Sequence, residues 1–316
     1  QSTSWWSCNR SSEIYLDYSI VLYKLRKPRL SWLVFLLPEI RVWGLMTFAG
    51  DHQNDIKVLA PAVSYTSAHD ASSMPQSLYL SSSSIPENHI ARLSTETAAH
   101  DIPSNPSYGI DSPLGLIASN VLSPFYLYAT LKGKFQVWDD LLAHTPQETF
   151  RAPTLDLGCG RGLVLLKIAQ IKKRLASSES PVPPAYGIDL FVKGDQSGNA
   201  PLATYKNAAA LGVCEQTVLH TGSVADLPFC DGVFSLVTAS LSIHNADKAT
   251  RKKAIGEAAR VLVSGGYLVV VDMAGYVEEY ADLVKQMGWT DVSTEFGGVR
   301  IMYGAWPCRI LRARKP

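Results

Sequence analysis

Thr154-Leu-Asp-Leu-Gly-Cys-Gly-Arg-Gly162 runs a short apolar strand candidate straight into three glycines at 158, 160 and 162, and then into a helical pattern. A ligand lying across the carboxyl end of a strand needs backbone without Cβ atoms in its way, and glycines give that clearance. The dinucleotide fingerprint G-x-G-x-x-G needs its third glycine at position 163, which is Leu163, so a nicotinamide or flavin enzyme is disfavoured. No G-K-S/T ending follows, which excludes a phosphate-cradling P-loop.

Outward from this stretch, β-rich runs alternate with helical runs, the pattern of βα units around a mainly parallel sheet. Candidate strands are 154–157, 185–188, 217–220, 233–239, 267–271, 290–296 and 309–313. Candidate helices are 162–175, 201–211, 247–262 and 276–287. Asn199 is placed to cap the helix that opens at Pro201, and Gly212, Gly265 and Gly288 are placed to stop helices. No internal repeat is present. The fold class expected is α/β: a doubly wound, mainly parallel sheet of seven strands with an antiparallel edge strand, preceded by a helical N-terminal extension.

Leu155 to Gly162 resembles motif I of class I S-adenosylmethionine (SAM)-dependent methyltransferases, and the following segments extend the resemblance in the family's order. Gly187-Ile-Asp189 closes the second strand on an acidic residue. Thr221-Gly-Ser-Val-Ala-Asp-Leu-Pro-Phe229 is similar to the family's adenine-wrapping G-D-A-x-x-L-P-F segment, with Ser223 in the usual aspartate position. Asp231 to Ser240 and Ala258 to Leu268 resemble the fourth-strand and fifth-strand motifs. Around Gly194-Asp-Gln-Ser-Gly-Asn199, Ser242-Ile-His-Asn245 and Tyr108-Gly-Ile-Asp111 the chain resembles an uncharacterised subgroup of small methyltransferases, over roughly residues 108–316.

The resemblance implies a Rossmann-like methyltransferase fold with SAM as cofactor. By it, Asp156 orients the methionine ammonium, Gly158, Cys159 and Gly160 line the methionine end, and Gly162 is a further cofactor-binding residue of the same motif. Asp189, with Leu190 after it, takes the two ribose hydroxyls. Ser223, Val224 and Asp226 lie at the adenine, with Asp226 as the alternative acceptor for its amino group, and Ser240 closes the site from the fourth strand. A longer than usual spacing before Asp189 falls in Ser177-Ser-Glu-Ser-Pro-Val-Pro-Pro184, a loop-like insertion.

Methyl transfer from a sulfonium needs mainly alignment, so catalytic residues are hard to read from sequence. His244, just past the fourth strand, is the candidate general base for an acceptor that must lose a proton, with Asp272 as the weaker one. The acceptor is expected to be a small molecule. The alternative is a SAM-binding protein of the same fold that uses the cofactor structurally or for rearrangement chemistry.

The near balance of 29 Lys+Arg against 28 Asp+Glu gives a net charge of +1, no basic field for a nucleic acid. Five scattered cysteines, without paired spacing or nearby histidines, point to free thiols, a reducing compartment and no metal site. A cytoplasmic location is expected. The chain opens on Gln1, as a fragment or processed product would. Residues 24–29 are basic and residues 30–38 apolar, imitating a signal peptide, but no small-residue cleavage site follows and secretion is not expected. Translation starting at Met46 is a further reading of this end.

Three regions are expected: 1–107, an N-terminal extension; 108–150, a helical cap; and 151–316, the methyltransferase domain. Ten serines between residues 64 and 94 read as a flexible linker. Residues 112–131 carry no charge but contain Pro113, Pro124 and Asn120, which favours a helical pair over a membrane span, with contact at a membrane surface as the alternative. Residues 132–144 read as an amphipathic helix around Phe135, Val137, Trp138, Leu141 and Leu142. The segment 112–144 is expected to close over the cofactor.

Overall fold

The computed structural model describes residues 78–109, 123–194, 196–304 and 306–316, all within the unit Ser64–Pro316. The basic and apolar runs before residue 39, Met46, the first part of the serine-rich tract and the uncharged residues 112–122 lie outside the described residues.

A single mixed sheet organises them. Its strands are β1 (Thr154–Leu157), β2 (Ala185–Asp189), β3 (Thr217–Thr221), β4 (Phe234–Ser240), β5 (Leu262–Met273), β6 (Asp291–Phe296), β7 (Met302–Tyr303) and β8 (Trp306–Arg314). The order is β3-β2-β1-β4-β5-β8-β6, with β7 paired to the start of β8. β1 through β5 are parallel, and β8 runs antiparallel between β5 and β6. The strand order reverses at β1, which has β2 on one side and β4 on the other, so a crevice opens beyond the carboxyl ends of these strands. The doubly wound sheet expected from the sequence is present. The additional strand, β7, is two residues long and too short to carry a period.

Helices cover both faces. They are α1 (His89–Glu96), α2 (Ser123–Tyr128), α3 (Lys134–Ala143), α4 (Leu163–Leu175), α5 (Pro201–Ala210), α6 (Lys248–Val261) and α7 (Ala274–Gln286). Leu155, Leu157, Tyr186, Ile188 and Val237 face one core, and Leu219, Leu236, Val269 and Val271 face the other together with Val164, Leu165 and Ile168 of α4. Alternate residues thus go to opposite faces, and both faces are buried, as a parallel sheet requires. Gly187 lets α4 lie close: a Cβ there would stand 2.5 Å from Leu165 Cδ2 and 2.9 Å from Cys159 Sγ.

Two end signals differ from expectation. Asn199 does not cap α5: Ala200 holds that position, and the Asn199 amide instead turns back toward Asp189 and Val192. Gly265 does not stop α6, which ends at Val261; its positive φ of 79° belongs to an irregular start of β5, where its N–H donates to the Lys315 carbonyl.

The C-terminal part of the serine-rich tract is packed, which corrects the linker reading for residues 78–94. Leu78 and Tyr79 are buried, the Leu80 N–H donates to Pro228 O, and the Cys230 N–H donates to Leu78 O. Asn88 caps α1 by accepting from the Ile90 and Ala91 N–H groups, and Ile90 and Leu93 bury its inner face. Average composition hid this, because two large residues and one amphipathic turn are enough to anchor a tract that is otherwise serine.

His220 on β3 holds the segment. It accepts from Tyr79 Oη at Nε2 (2.8 Å), and its Nδ1–H donates to Glu87 O (3.0 Å), which fixes a neutral tautomer. Before α3, a π turn over Ala129–Gly133 presses the chain against the Arg300 backbone, where a Cβ on Gly133 would meet the Arg300 oxygen. Trp138 of α3 is fully buried, and its indole N–H donates to Ser240 Oγ at 2.9 Å. Among the described residues no helix is long and apolar enough to cross a membrane.

Burial holds the His220 imidazole down at about 4, against an ordinary value of 6.5. The unfolded chain therefore takes up this proton first as pH falls. The contribution, up to about 3 kcal/mol, is complete above about pH 6.5 and is lost as pH drops toward 4. Urea unfolding should show wild type losing stability between neutral pH and about pH 4.5, and His220→Gln, less stable at neutral pH, with a flatter dependence. Parallel curves for the two proteins would contradict the assignment.

Candidate functional site

Backbone amides after β1 and the end of β2 build the site together. The Gly158 and Cys159 N–H groups donate to Ile188 O at 2.8 and 3.3 Å, which draws the glycine loop over the end of β2. Asp189, the last residue of β2, then accepts the Gly160 N–H at Oδ2 (2.8 Å) and the Phe191 N–H at Oδ1 (2.5 Å). Phe191 adopts a positive φ of 54°, unusual for a residue with a side chain, where the chain turns away beyond Leu190. On the other side of β1, Ser242 Oγ donates to Leu157 O at 2.9 Å. Gly158, with φ +62°, leaves room for it: a Cβ would stand 2.4 Å from Ser242 Cβ.

An open crevice of about 330 Å³ results, within the range of small-ligand sites. Asp156, Gly158, Cys159, Gly160, Asp189, Leu190, Ser223, Val224 and Ser240 all line it, so the glycine loop, the end of β2 and the turn after β3 do meet around one space.

Asp156 is buried beneath the loop. Thr238 Oγ1 donates to its Oδ1 (2.7 Å) and the Leu165 N–H to its Oδ2 (3.1 Å), and burial pushes its carboxyl up to about 7. It therefore ties β1 to β4 and satisfies one of the orphan N–H groups in the first turn of α4.

Three expected residues are not on the crevice wall. Gly162 (φ +88°) starts α4, where a Cβ would crowd Leu166 and Thr204; its role is helix placement. Asp226 is exposed, because the turn closed by its own N–H on Ser223 O rotates it outward. His244 is buried behind Tyr303, whose ring centroid lies 4.7 Å away and which does line the crevice.

His244 and Asp272 nevertheless form a defined pair. Nδ1 of His244 is 2.5 Å from Asp272 Oδ1, the His244 backbone N–H donates to Oδ2 (3.2 Å), and Tyr280 Oη and the Met273 N–H donate to the same carboxylate. With Nδ1–H donating, Nε2 is left as the acceptor nitrogen, and it is buried without a hydrogen-bond partner among the described residues.

The sequence did not assign Tyr108, Lys134, Gln196, Asn199 and Tyr303 to the site, yet all line the crevice. Gln196 bridges two chain segments: its Nε2 donates to Tyr108 O (2.8 Å) and its Oε1 accepts the Arg161 N–H (3.3 Å). Tyr108, Gln196 and Asn199 belong to the two short motifs noted above, so a signal existed. Lys134 sits one turn before Trp138 on the buried face of α3, and a lysine on an apolar helix face was the signal there.

Residues 155–270 match the family model for a methyltransferase domain. The matched residues run from β1 into β5 and include the glycine loop and the end of β2. No curated protein matches the sequence. Solved structures similar to this chain include the 4+2 cyclase SpnF, at 18% identity, covering 66% of this chain and 99% of that one with a TM-score of 0.45. Magnesium protoporphyrin IX methyltransferase from Synechocystis PCC 6803 with bound SAM is 16% identical and covers 62% and 85%, with a TM-score of 0.45. A geranyl diphosphate methyltransferase in complex with SAM is 15% identical and covers 67% and 98%, with a TM-score of 0.43.

Gly158→Ala should destabilise the methyltransferase domain by about 1–3 kcal/mol, from the left-handed backbone and the Ser242 contact. Gly256→Ala, inside α6 with open space around its Cβ position, should stabilise it by about 0.5–1 kcal/mol. Urea unfolding of both variants checks the pair, and a neutral Gly158→Ala would show that the loop is looser than described.

Proposed function

We propose that the chain binds SAM in this crevice and transfers its methyl group to a small-molecule acceptor. The observation that carries the reading is the shared crevice itself: the bare backbone of Gly158 to Gly160 and the Asp189 carboxylate face one space, joined by the Gly160 N–H. Bound SAM would supply a methyl group on an already activated sulfonium leaving group.

The residues fit such a ligand. Each Asp189 oxygen takes a backbone N–H, the Asn199 amide lies 3.5 Å from Oδ1, and in this reading the carboxylate accepts from the two ribose hydroxyls, at about 1.5–3 kcal/mol for each charged hydrogen bond. Leu190, Val192 and Val224 give apolar surface for the adenine, with Ser223 Oγ beside them, already accepting the Ala225 N–H. Gly158 and Gly160 allow the methionine portion to lie directly on backbone. What the protein adds is alignment and exclusion of water, which is worth about 7–11 kcal/mol when the reacting atoms are held in line.

For an acceptor that must lose a proton, His244 Nε2 is the base of this reading. Asp272 holds the ring in one tautomer and stabilises the imidazolium formed, and Tyr303 stands between the ring and the crevice. Movement of the Tyr303 ring is what would admit the acceptor to Nε2.

Transfer of a labelled methyl group from SAM to a panel of small hydroxyl, amine and carboxylate acceptors tests the reaction, and binding of SAM without any labelled product would favour the non-methylating alternative. Asp189→Ala should weaken SAM at least 10-fold in calorimetry while the unfolding transition is retained; wild-type affinity would overturn the cofactor placement. His244→Gln should lower turnover about 10²–10⁴-fold at saturating SAM with SAM affinity unchanged. Unaltered turnover would leave the His244–Asp272 pair a structural tie between β4 and β5.

A further inference from the structure

Two buried histidines at the β3 edge of the sheet take no part in the proposed reaction. His220 anchors the segment 78–96 through Tyr79 and Glu87. His89, the first residue of α1, lies where that segment meets the ends of β2 and β3.

His89 Nε2 is 2.5 Å from Thr221 Oγ1, and its ring stands edge-on to Phe191 with the centroids 6.2 Å apart. Both contacts bear on Asp189. Thr221 pairs with Asp189 across the parallel strands, and the Gly222 N–H donates to Asp189 O at 3.1 Å. Phe191, at its positive φ, gives its own N–H to the Asp189 carboxylate. His89 is not among the described residues that line the crevice, whereas Leu190, Val192, Ser223 and Val224, on these same two turns, are. One imidazole thus braces, from outside, both turns that form the ribose and adenine end of the proposed site.

The surroundings of this ring suit only its neutral form. Nδ1 is buried with no hydrogen-bond partner among the described residues, and the Glu87 carboxylate 3.9 Å away is held by Arg92 at 2.8 Å. An imidazolium carries a proton on both nitrogens, so its Nδ1–H would stay unpaired unless Glu87 left Arg92 and the ring shifted toward it. Burial holds the imidazole below its ordinary 6.5, against the pull of Glu87 and with help from Arg92. The elements packed on α1 add His220 from β3 and Tyr205 and Lys206 from α5, and the Phe191 turn adds Asp189 and Lys193. His220 is itself buried and neutral, and its nitrogens face Tyr79 and the Glu87 carbonyl.

We infer that His89 is a positioning residue of the adenosyl site: its neutral ring sets the Asp189–Phe191 and Thr221–Gly222 turns, and its protonation weakens the cofactor. The inference rests on the cofactor reading above and adds a residue from outside the matched stretch 155–270. The sign follows from linkage. A ligand that selects the neutral ring binds at full strength above about pH 6.5 and loses affinity as pH falls through the lower value of the folded protein.

Two substitutions separate bracing from mere packing. Gln places its amide where Nε2 stands and does not titrate, and Ala removes the contact. With S-adenosylhomocysteine as the probe, calorimetry on the full chain at about pH 7.5 should find His89→Gln within about 2-fold of wild type and His89→Ala about 3- to 10-fold weaker, as for one hydrogen bond. Between about pH 7.5 and about pH 5, wild type should lose about 3- to 10-fold more affinity than His89→Gln. Taking that difference cancels the titrations of Asp156 and His220, which the two proteins share. In the free protein, His89→Ala should speed hydrogen exchange in peptides 187–192 and 221–226 together, with His89→Gln at wild-type rates. Equal pH profiles for wild type and His89→Gln, equal weakening by Gln and Ala, or exchange unchanged at both turns would each overturn the inference and leave the cofactor reading in place. If wild type fails to bind S-adenosylhomocysteine at all, the cofactor reading fails and the inference falls with it.

Discussion

The short hydrogen bonds between the end of β2 and the loop after β1 are the constraint on which the site depends. Ile188 O takes two loop N–H groups and Asp189 takes a third, so loop and carboxylate cannot be placed independently. A backbone path through Gly158, Gly160 and Gly162 at positive φ lets the chain reach these partners and start α4 on the sheet. Gly187 completes the arrangement from below, since only a residue without Cβ admits Leu165 and Cys159 over β2. Shape and binding capacity thus come from the same few contacts.

Each acidic group near the loop has a distinct duty. Asp156 is fully engaged with Thr238 and the start of α4, and burial pushes its carboxyl up to about 7. It supports the floor of the crevice, where the family resemblance assigned it to the methionine ammonium. Asp189 sits at the rim, where its oxygens hold the Gly160 and Phe191 N–H groups. Asp272, on β5, serves the far side by orienting His244. Three aspartates near three strand ends therefore give a support, a tie on the glycine loop and an imidazole holder, and their neighbours decide which is which.

The sheet was legible because its strands are buried on both faces and read as continuous apolar runs, and because the glycine loop has few structural meanings. What escaped had identifiable causes. β7 is two residues long. Gly265 marks an irregular strand start as easily as a helix stop, since both want positive φ. Tyr79 and His220 are 141 residues apart, and nothing in a serine-rich stretch announces that one tyrosine in it will bury against a β3 histidine. The same distance effect hid the His244–Asp272 pairing, although each residue was singled out alone. Lys134 and Tyr303 become site residues only through the way α3 and the β7 turn fold over β4, which no local pattern encodes.

The account stands on the claim that the glycine loop, the end of β2 and the turn after β3 enclose one adenosyl site. Hydrogen–deuterium exchange of the full chain with and without S-adenosylhomocysteine tests it most directly. Slowed exchange is expected together in peptides covering 154–162, 187–192 and 221–226. Protection confined to one of these segments, or found only elsewhere, would contradict a shared crevice.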